Sequence, residues 1–400
     1  MWPLYNFISI LAAPLLLPLF GLHPRLKGGL LQRLGFLPTM PRGAVWFHGA
    51  SAGDVNALLP VAQEWAARGG ESCASALTRS GVDFLERVAP EIARFFAPLD
   101  ISIVSRRVLT RLAPRALILE HLELWPGLWR MAHRAGVPVA LVNARLSAAS
   151  MRRYRRFPSL FEAPLRALSM VAAASSDDAQ RLTELGVRPD RIWVSAQSTK
   201  HARPHTSLLL SSRPPCIVLG SLHPGEEELL LPYLPLLVGA GAHVIVAPRY
   251  PHRAKSLLAQ VARLGLRAAL ASQRHEDEVP PPVEVLDGMG QLPAAYEQAT
   301  VAFIGGSLER RGGHNVLEAA RAGCAVVTGP YVENCAGEMR ALEQVGAGMS
   351  VAEPARIVSQ LCAWSAHDGP RSAACQQAAA VVAGEARLAV KRIVGWLESS

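Results

Sequence analysis

From Ala44 onward, short apolar runs alternate with amphipathic segments along the chain. Ala44-Val-Trp-Phe47 predicts a strand and Ala57 to Arg68 a helix. Ala116-Leu-Ile-Leu119 predicts the next strand, with a helix near Leu128 to Ala135 and further strands at Val137 to Val142 and Met170 to Ala174. The pattern restarts at Cys216-Ile-Val-Leu219 and recurs at His243 to Ala247, Val283 to Leu286, Val301 to Ile304 and Ala325 to Thr328. Helical segments separate most of these runs, and the last part of the chain is Ala-rich and helical as far as Trp396. Strands that are apolar throughout, alternating with helices, predict an α/β fold with buried parallel sheets.

A polar, Pro-rich interruption separates the two series: His201-Ala-Arg-Pro-His-Thr-Ser and then Ser211-Ser-Arg-Pro-Pro215. The expected organisation is an apolar N-terminal segment 1–27, a Rossmann-like domain 28–205, a linker 206–215, a second Rossmann-like domain 216–385 and a helix end 386–400. Two such halves around a cleft would bind ligands at the carboxyl ends of their strands. Met1 to Leu22 holds no Asp, Glu, Lys or Arg, and His23, Arg25, Lys27 and Arg33 follow it. A signal peptide places its positive charge before the apolar run. The expectation is a membrane anchor with its positive flank on the cytoplasmic side, whether it spans or lies in the interface, with a buried N-terminal arm as the alternative.

At 18% charged and 50% hydrophobic residues, the composition excludes a disordered chain and a polytopic membrane protein. A net charge of +9 favours an anionic partner. With 6% aromatics, no Lys-rich tail and no zinc-knuckle spacing, nucleic acid is not expected. The six cysteines, Cys73, Cys216, Cys324, Cys335, Cys362 and Cys375, show no C-x-x-C pair, so reduced thiols are expected rather than disulfides or zinc.

The candidate chemistry collects in strand-end loops. Ile304-Gly-Gly-Ser-Leu-Glu-Arg-Arg-Gly-Gly-His-Asn-Val-Leu-Glu318 leaves one strand and enters a helix expected over Asn315 to Arg321. Its glycines, Gly313 among them, would let an anion approach backbone N–H groups and the positive helix end, and Glu318 would accept from ribose hydroxyls. Gly220-Ser-Leu-His-Pro-Gly-Glu-Glu-Glu228 reads as a second anion-binding turn, with Ser221, His223 and Gly225 near a helix start. Arg249 follows the next strand and suits bidentate pairing with a phosphate or carboxylate. Leu286-Asp-Gly-Met-Gly-Gln-Leu292 is a third loop on the same edge.

In the first half, Phe47-His-Gly-Ala-Ser-Ala-Gly-Asp-Val55 opens a helix, and Asp54 there is either a helix cap or a general base held ionised by the helix end. Glu120-His-Leu-Glu-Leu-Trp-Pro126 adds two carboxylates and the His121 imidazole at the same sheet edge, and Glu123 reads equally as structural or functional. Met151-Arg-Arg-Tyr-Arg-Arg-Phe157 is a basic-aromatic cluster suited to a solvated helix face or to anionic lipid head groups.

Taken together, Trp46-Phe-His-Gly-Ala-Ser-Ala-Gly-Asp54, Glu123-Leu-Trp-Pro126, Val142-Asn-Ala-Arg-Leu-Ser147, Pro248-Arg249, Met289-Gly290, Gly305-Gly-Ser307, Gly312-Gly-His-Asn-Val-Leu-Glu318, Gly329-Pro330 and Glu333-Asn334 resemble the 3-deoxy-D-manno-octulosonic acid (Kdo) transferases of lipopolysaccharide assembly. The match runs in order from about residue 28 to about residue 350. The resemblance implies a GT-B glycosyltransferase on the cytoplasmic face of the inner membrane, with CMP-Kdo as donor, the tetraacylated lipid A precursor as acceptor, and inversion at the anomeric centre. It places CMP against Pro248, Arg249, Met289, Gly290, Gln291, Asn315, Val316, Leu317 and Glu318, and gives Lys200 a part in stabilising the transition state. No cofactor and no metal are implied, and no metal-ligand spacing occurs.

Two positions depart from that family. Its base is Glu where this chain has Asp54, and His121 stands where it has another Glu, with Glu120 one place earlier. Two other readings stay open beside Kdo transfer: a paralogue moving a related acidic sugar to another lipid, and a membrane-tethered CMP-binding protein without turnover.

Overall fold

The computed structural model describes residues 2–16, 23, 26–122, 125–195, 197–202, 215–273, 280–366 and 368–400. The chain divides into two compact units, Met1–Arg203 with Ala383–Ser400, and Pro204–Val382. Most of the expected linker, and Glu123, lie outside the described residues.

The first unit is built on seven strands: β1 (Val45–Gly49), β2 (Ser72–Ala76), β3 (Ala93–Phe96), β4 (Leu117–Glu120), β5 (Val139–Ala144), β6 (Met170–Ala173) and β7 (Ile192–Val194). They are ordered β3-β2-β1-β4-β5-β6-β7, and every pairing is parallel. Val45, Trp46, Phe47, Leu117, Ile118 and Leu119 are all buried, because helices cover both faces of the sheet. This is why the strands read as unbroken apolar runs. Strand order reverses between β1 and β4, the position at which open parallel sheets bind ligands beyond the strand ends.

The second unit repeats the plan with β8 (Cys216–Leu222), β9 (His243–Pro248), β10 (Ala268–Leu270), β11 (Val283–Val285), β12 (Val301–Ile304), β13 (Ala325–Thr328) and β14 (Gly348–Ser350). Their order is β10-β11-β9-β8-β12-β13-β14, again parallel throughout, so the reversal falls between β8 and β12. The long helix Gly369–Ser399 starts in this unit, where Cys375, Ala378 and Val382 join its core. It ends in the first unit, where Ala386, Val390, Ile393, Val394 and Leu397 are buried.

Three local features differ from the sequence expectation. The helix after β1 spans Ala52–Ala67, five residues earlier than the apolar periodicity predicts, because Ser51 caps it from extended backbone. The helix after β12 is only Leu317–Arg321. Asn315 sits before it and accepts the Leu317 N–H on its side-chain oxygen, a local bond that competes with helix.

The third concerns the expected anchor. Trp2–Leu16 is a helix of 15 residues, and residues 17–22 after it lie outside those described. Among the described residues no helix is long and apolar enough to cross a membrane. The helix is docked by polar contacts instead: Tyr5 donates to the Asp100 carboxylate, Ser102 donates to Asn6, and the Arg130 guanidinium lies 4.2 Å from the Trp2 ring centre.

Candidate functional site

In the first unit the site begins where β1 meets the following helix. Gly49 is required there, since a Cβ would lie 2.8 Å from Asp54 Cβ and from the Val55 nitrogen. That close approach sets Asp54 at the third position of the helix. Its Oδ2 accepts from the Ser51 N–H at 2.8 Å and from the Ser51 hydroxyl at 2.7 Å. Asp54 therefore caps the helix, and its other oxygen, Oδ1, faces His121 Nε2 at 3.8 Å.

His121 follows the last residue of β4. Its N–H bonds to the Val142 carbonyl, extending the ladder, and the backbone then turns into left-handed space at φ 55°. Asn143, opposite it in β5, has φ 52°, at an irregularity in the β5–β6 register. Two non-glycine residues in this region mark backbone strain held by surrounding contacts. His121 Nδ1 lies 2.9 Å from the Asn143 carbonyl oxygen, and its Nε2 is 3.7 Å from Glu120 Oε1.

Glu120 is only 1% exposed. The Asn143 amide donates to both its oxygens, at 3.0 and 2.9 Å. Asn143 is oriented in turn by Thr199, whose N–H donates to the amide oxygen at 3.1 Å and whose hydroxyl bonds to the Ala57 carbonyl. Burial raises the Glu120 carboxyl well above the usual range, Asp54 adds to this, and the Asn143 bond, Lys200 and Arg145 oppose it. Burial lowers the His121 imidazole, as do Arg145 and Lys200, while the Asn143 bond and Asp54 work the other way. His48, at the end of β1, is pushed down to about 4 by burial against the pull of Asp54. Lys200 is half-buried on the short turn Thr199–Ala202, with its charge directed at this cluster.

The second unit's cluster sits at its own strand-order reversal. Near the end of β8, Ser221 adopts φ 56°, and His223 precedes the helix Pro224–Leu230. Glu226 on that helix is fully buried, and Gly305 must be glycine because a Cβ would meet the Ser221 carbonyl at 2.4 Å and Glu226 Oε2 at 2.8 Å. Glu226 accepts the N–H groups of His223 and Gly306 on one oxygen and of Ser307 and Leu308 on the other. This corrects the expectation for the glycine-rich turn. The amides of Gly306, Ser307 and Leu308 are already occupied by a protein carboxylate and do not face a bound anion.

His223 and His314 approach Nε2 to Nε2 at 3.0 Å with nearly parallel rings. His314 is pushed down to about 4 by burial and then by the charges of Arg249 and His223. His223 is lowered by burial, followed by Arg311.

Ser221, Arg249, Gly313 and Asn315 belong to loops of this edge. Arg249 is tied to the turn by its N–H to the Leu222 carbonyl and has an exposed side chain. Pro248 is buried at the end of β9. Gly313 has φ 78°, and Asn315 donates to Glu318 at 2.9 Å. The Val316 and Leu317 side chains are buried in the core, so only their backbone is available to a ligand. Beyond β11, Met289 is 82% exposed, Gly290 has φ 83°, and Gln291 accepts the Asp287 and Gly288 N–H groups, holding its own loop. Among the described residues no group of three or more His, Cys, Asp or Glu side chains is placed to hold a metal.

Asn143, Thr199 and Glu226 carry much of this geometry; Asn143 and Glu226 lie inside stretches that the sequence singles out but without a role of their own there, and Thr199 lies in none. A signal exists for Asn143, the one polar residue in the apolar run Val139-Ala-Leu-Val-Asn-Ala144.

Residues 28–202 match the family model described as 3-deoxy-D-manno-octulosonic-acid transferase (kdotransferase). A 3-deoxy-D-manno-octulosonic acid transferase of Bordetella pertussis is 30% identical over 91% of this chain and 90% of its own length. One of Chlamydia pneumoniae is 27% identical over 87% of this chain and 84% of its own. Among solved structures, a glycosyltransferase from Rickettsia africae superposes with a TM-score of 0.64 at 11% identity, covering 90% of this chain and 99% of that one. At that identity the likeness shows the fold, an α/β GT-B-like arrangement of two parallel sheets.

Proposed function

Because the chain belongs to the 3-deoxy-D-manno-octulosonic acid transferase family and is thus a glycosyltransferase, we propose that it transfers Kdo from CMP-Kdo to the lipid A precursor with inversion at the anomeric carbon. The observation that carries this reading is the Asp54–His121 pair at the strand-order reversal of the first unit. An inverting displacement needs one group to take the proton of the attacking hydroxyl, and a carboxylate beside an imidazole supplies it. Lys200 and Arg145 place positive charge beside the same cluster and suit an acceptor that bears phosphates.

The donor belongs to the second unit. There Ser221, Arg249, the Met289-Gly-Gln291 loop and Asn315 to Glu318 emerge at the carboxyl edge of one parallel sheet. Arg249 would stabilise the charge that develops on the departing CMP phosphate. Glu318, whose side chain is exposed beside Asn315, would take ribose hydroxyls. A single phosphate diester is neutralised by such cations without a metal or other cofactor.

The proposed site of action is the cytoplasmic face of the inner membrane. Leu4, Phe7, Ile8, Ile10 and Leu11 of the first helix are each more than half exposed. An apolar helix face of this kind suits insertion into the interface without spanning. Arg152, Arg153 and Arg156 are exposed, while Met151 is buried and Tyr154 packs edge-on to Phe161, so only part of that basic cluster is free for anionic head groups.

The test is incubation of membranes from an overproducing strain with CMP-Kdo and tetraacylated lipid A precursor, with products read by mass spectrometry. A Kdo-bearing lipid is expected. Absence of any such product, with CMP-Kdo unconsumed, would overturn the assignment, and preference for another nucleotide sugar would point to a different acidic donor.

A further inference from the structure

Resting on the reading above, the geometry decides which atom of the Asp54–His121 pair takes the proton. The Asn143 carbonyl can only accept a hydrogen bond, so His121 Nδ1, 2.9 Å away, must donate. In the neutral ring the hydrogen is thereby fixed on Nδ1, and Nε2 carries the lone pair. Nε2 has no hydrogen-bond partner among the described residues; Asp54 Oδ1 stands 3.8 Å from it and Glu120 Oε1 3.7 Å. The ring is 41% exposed, whereas Asp54 is 21% exposed and has one oxygen committed to Ser51.

We propose that His121 Nε2 is the general base of the transfer, and that Asp54 is a supporting residue whose carboxylate stabilises the imidazolium once the proton is on Nε2. In the step, the O–H bond of the acceptor hydroxyl breaks and an N–H bond forms at Nε2. The oxygen's electron pair forms the new bond to the anomeric carbon, the bond from that carbon to the phosphate oxygen of CMP breaks, and the phosphate keeps its electrons. The proton on Nε2 then returns to solvent. An Asp–His dyad thereby replaces a lone longer carboxylate: the reach that Asp54 lacks, with its helix-capping oxygen held in place, is supplied by the ring of the adjacent strand end.

The surroundings fit this division of labour. The charged or titratable groups facing His121 are Asp54 from the helix after β1, Glu120 from β4, Arg145 after β5 and Lys200 from the Thr199–Ala202 turn. Burial raises the Glu120 carboxyl well above its usual range, which weakens it as a second anion beside Nε2. Burial with Arg145 and Lys200 keeps the imidazole neutral, the form that accepts a proton. The left-handed backbone at both His121 and Asn143 fixes the ring against the carbonyl that sets its tautomer.

The experiment compares pH–rate profiles of the full chain and of His121→Gln and Asp54→Asn with CMP-Kdo and lipid A precursor, alongside ¹⁵N NMR titration of the histidines. For the parent, kcat/KM should fall as pH drops through a value below the ordinary imidazole pKa of ~6.5. His121→Gln should lose about 100-fold or more in kcat, the usual contribution of a general base, with KM for CMP-Kdo retained. Asp54→Asn should lose less, because Asn143 and not Asp54 fixes the tautomer, and its acidic limb should move lower as the anion favouring the imidazolium is removed. NMR should show hydrogen on Nδ1 at neutral pH. The reverse ranking, with Asp54→Asn the poorer enzyme and His121→Gln retaining an acidic limb in the carboxylate range, would overturn the proposal, as would hydrogen on Nε2. A parent chain inactive with CMP-Kdo would remove the reaction reading alone, and the dyad would then stand or fall on the tautomer and on the titration shift in Asp54→Asn.

Discussion

Nε2 of His223 lies 3.0 Å from Nε2 of His314, with the two rings inclined by 16°. Two nitrogens at that distance share one hydrogen, so one ring donates and the other accepts. The pair cannot bear two imidazolium charges in this arrangement. His314 is held down at about 4, by burial and then Arg249. A histidine with a depressed folded pKa binds its proton more readily unfolded. Its stabilising effect is complete above the unfolded value of ~6.5 and is lost as pH falls toward the folded value. Chemical denaturation of the chain should show stability declining between pH 6.5 and about 4, and His314→Gln should flatten that decline.

Glu226 is the anion of the glycine-rich turn. Its two oxygens receive four backbone N–H groups within a fully buried setting. Glu226→Gln would turn an amide NH₂ toward these donors and leave at least one of them without an acceptor, at a cost of about 1–3 kcal/mol. A lowered midpoint in urea unfolding, together with weaker CMP binding in calorimetry, is the expected result. Unchanged stability would mean that the turn is held by other contacts.

Among the described residues Asn143 is the sole hydrogen-bond donor to Glu120. Asn143→Ala would strand a buried carboxyl and the Thr199 N–H together, a loss of roughly 2–4 kcal/mol when two polar groups are left unsatisfied. Thermal unfolding should report it. Adding Glu120→Leu to that background should recover part of the loss, since removing both partners costs less than removing one.

Asp100 links the N-terminal helix to the loop that carries His121. It accepts from the Gly127 and Leu128 N–H groups at the start of the helix Pro126–Arg134, and from the Tyr5 hydroxyl. Asp100→Ala should leave the Gly127 and Leu128 N–H groups at the helix start without their acceptor, at a cost of about 1–3 kcal/mol. Tyr5→Phe should leave the cap in place and loosen only the first helix, seen as faster amide exchange over residues 2–16. Removal of residues 2–16 should reduce co-sedimentation with anionic vesicles, the expected consequence of losing the exposed Leu4, Phe7, Ile8, Ile10 and Leu11 face.

The apolar runs located nine of the fourteen strands, because strands covered on both faces leave no polar period to confuse them, while β2 and the four edge strands β3, β7, β10 and β14 were not located from them. The helix starts were less legible. Ala52–Ala67 opens on Ser51 and Asp54, whose capping bond is a property of side-chain geometry and not of hydrophobic period. The glycine-rich segment was legible as a tight corner, but its occupant was not. Glu226 lies some eighty residues earlier in the chain, and only the pairing of β8 with β12 brings its carboxylate to Gly306 and Ser307.

The sequence by itself determined the two series of parallel strands, the family and the two positions, Asp54 and His121, where this member departs from it. It did so because residue identity and spacing along one strand or loop are local properties. The tertiary structure decided what those departures mean. The strand order sets β1 beside β4 and β4 beside β5. That arrangement places Asp54 against one nitrogen of His121 and the Asn143 carbonyl against the other. Burial then fixes which groups nearby carry charge, and neither neighbourhood nor burial is written in the order of residues alone.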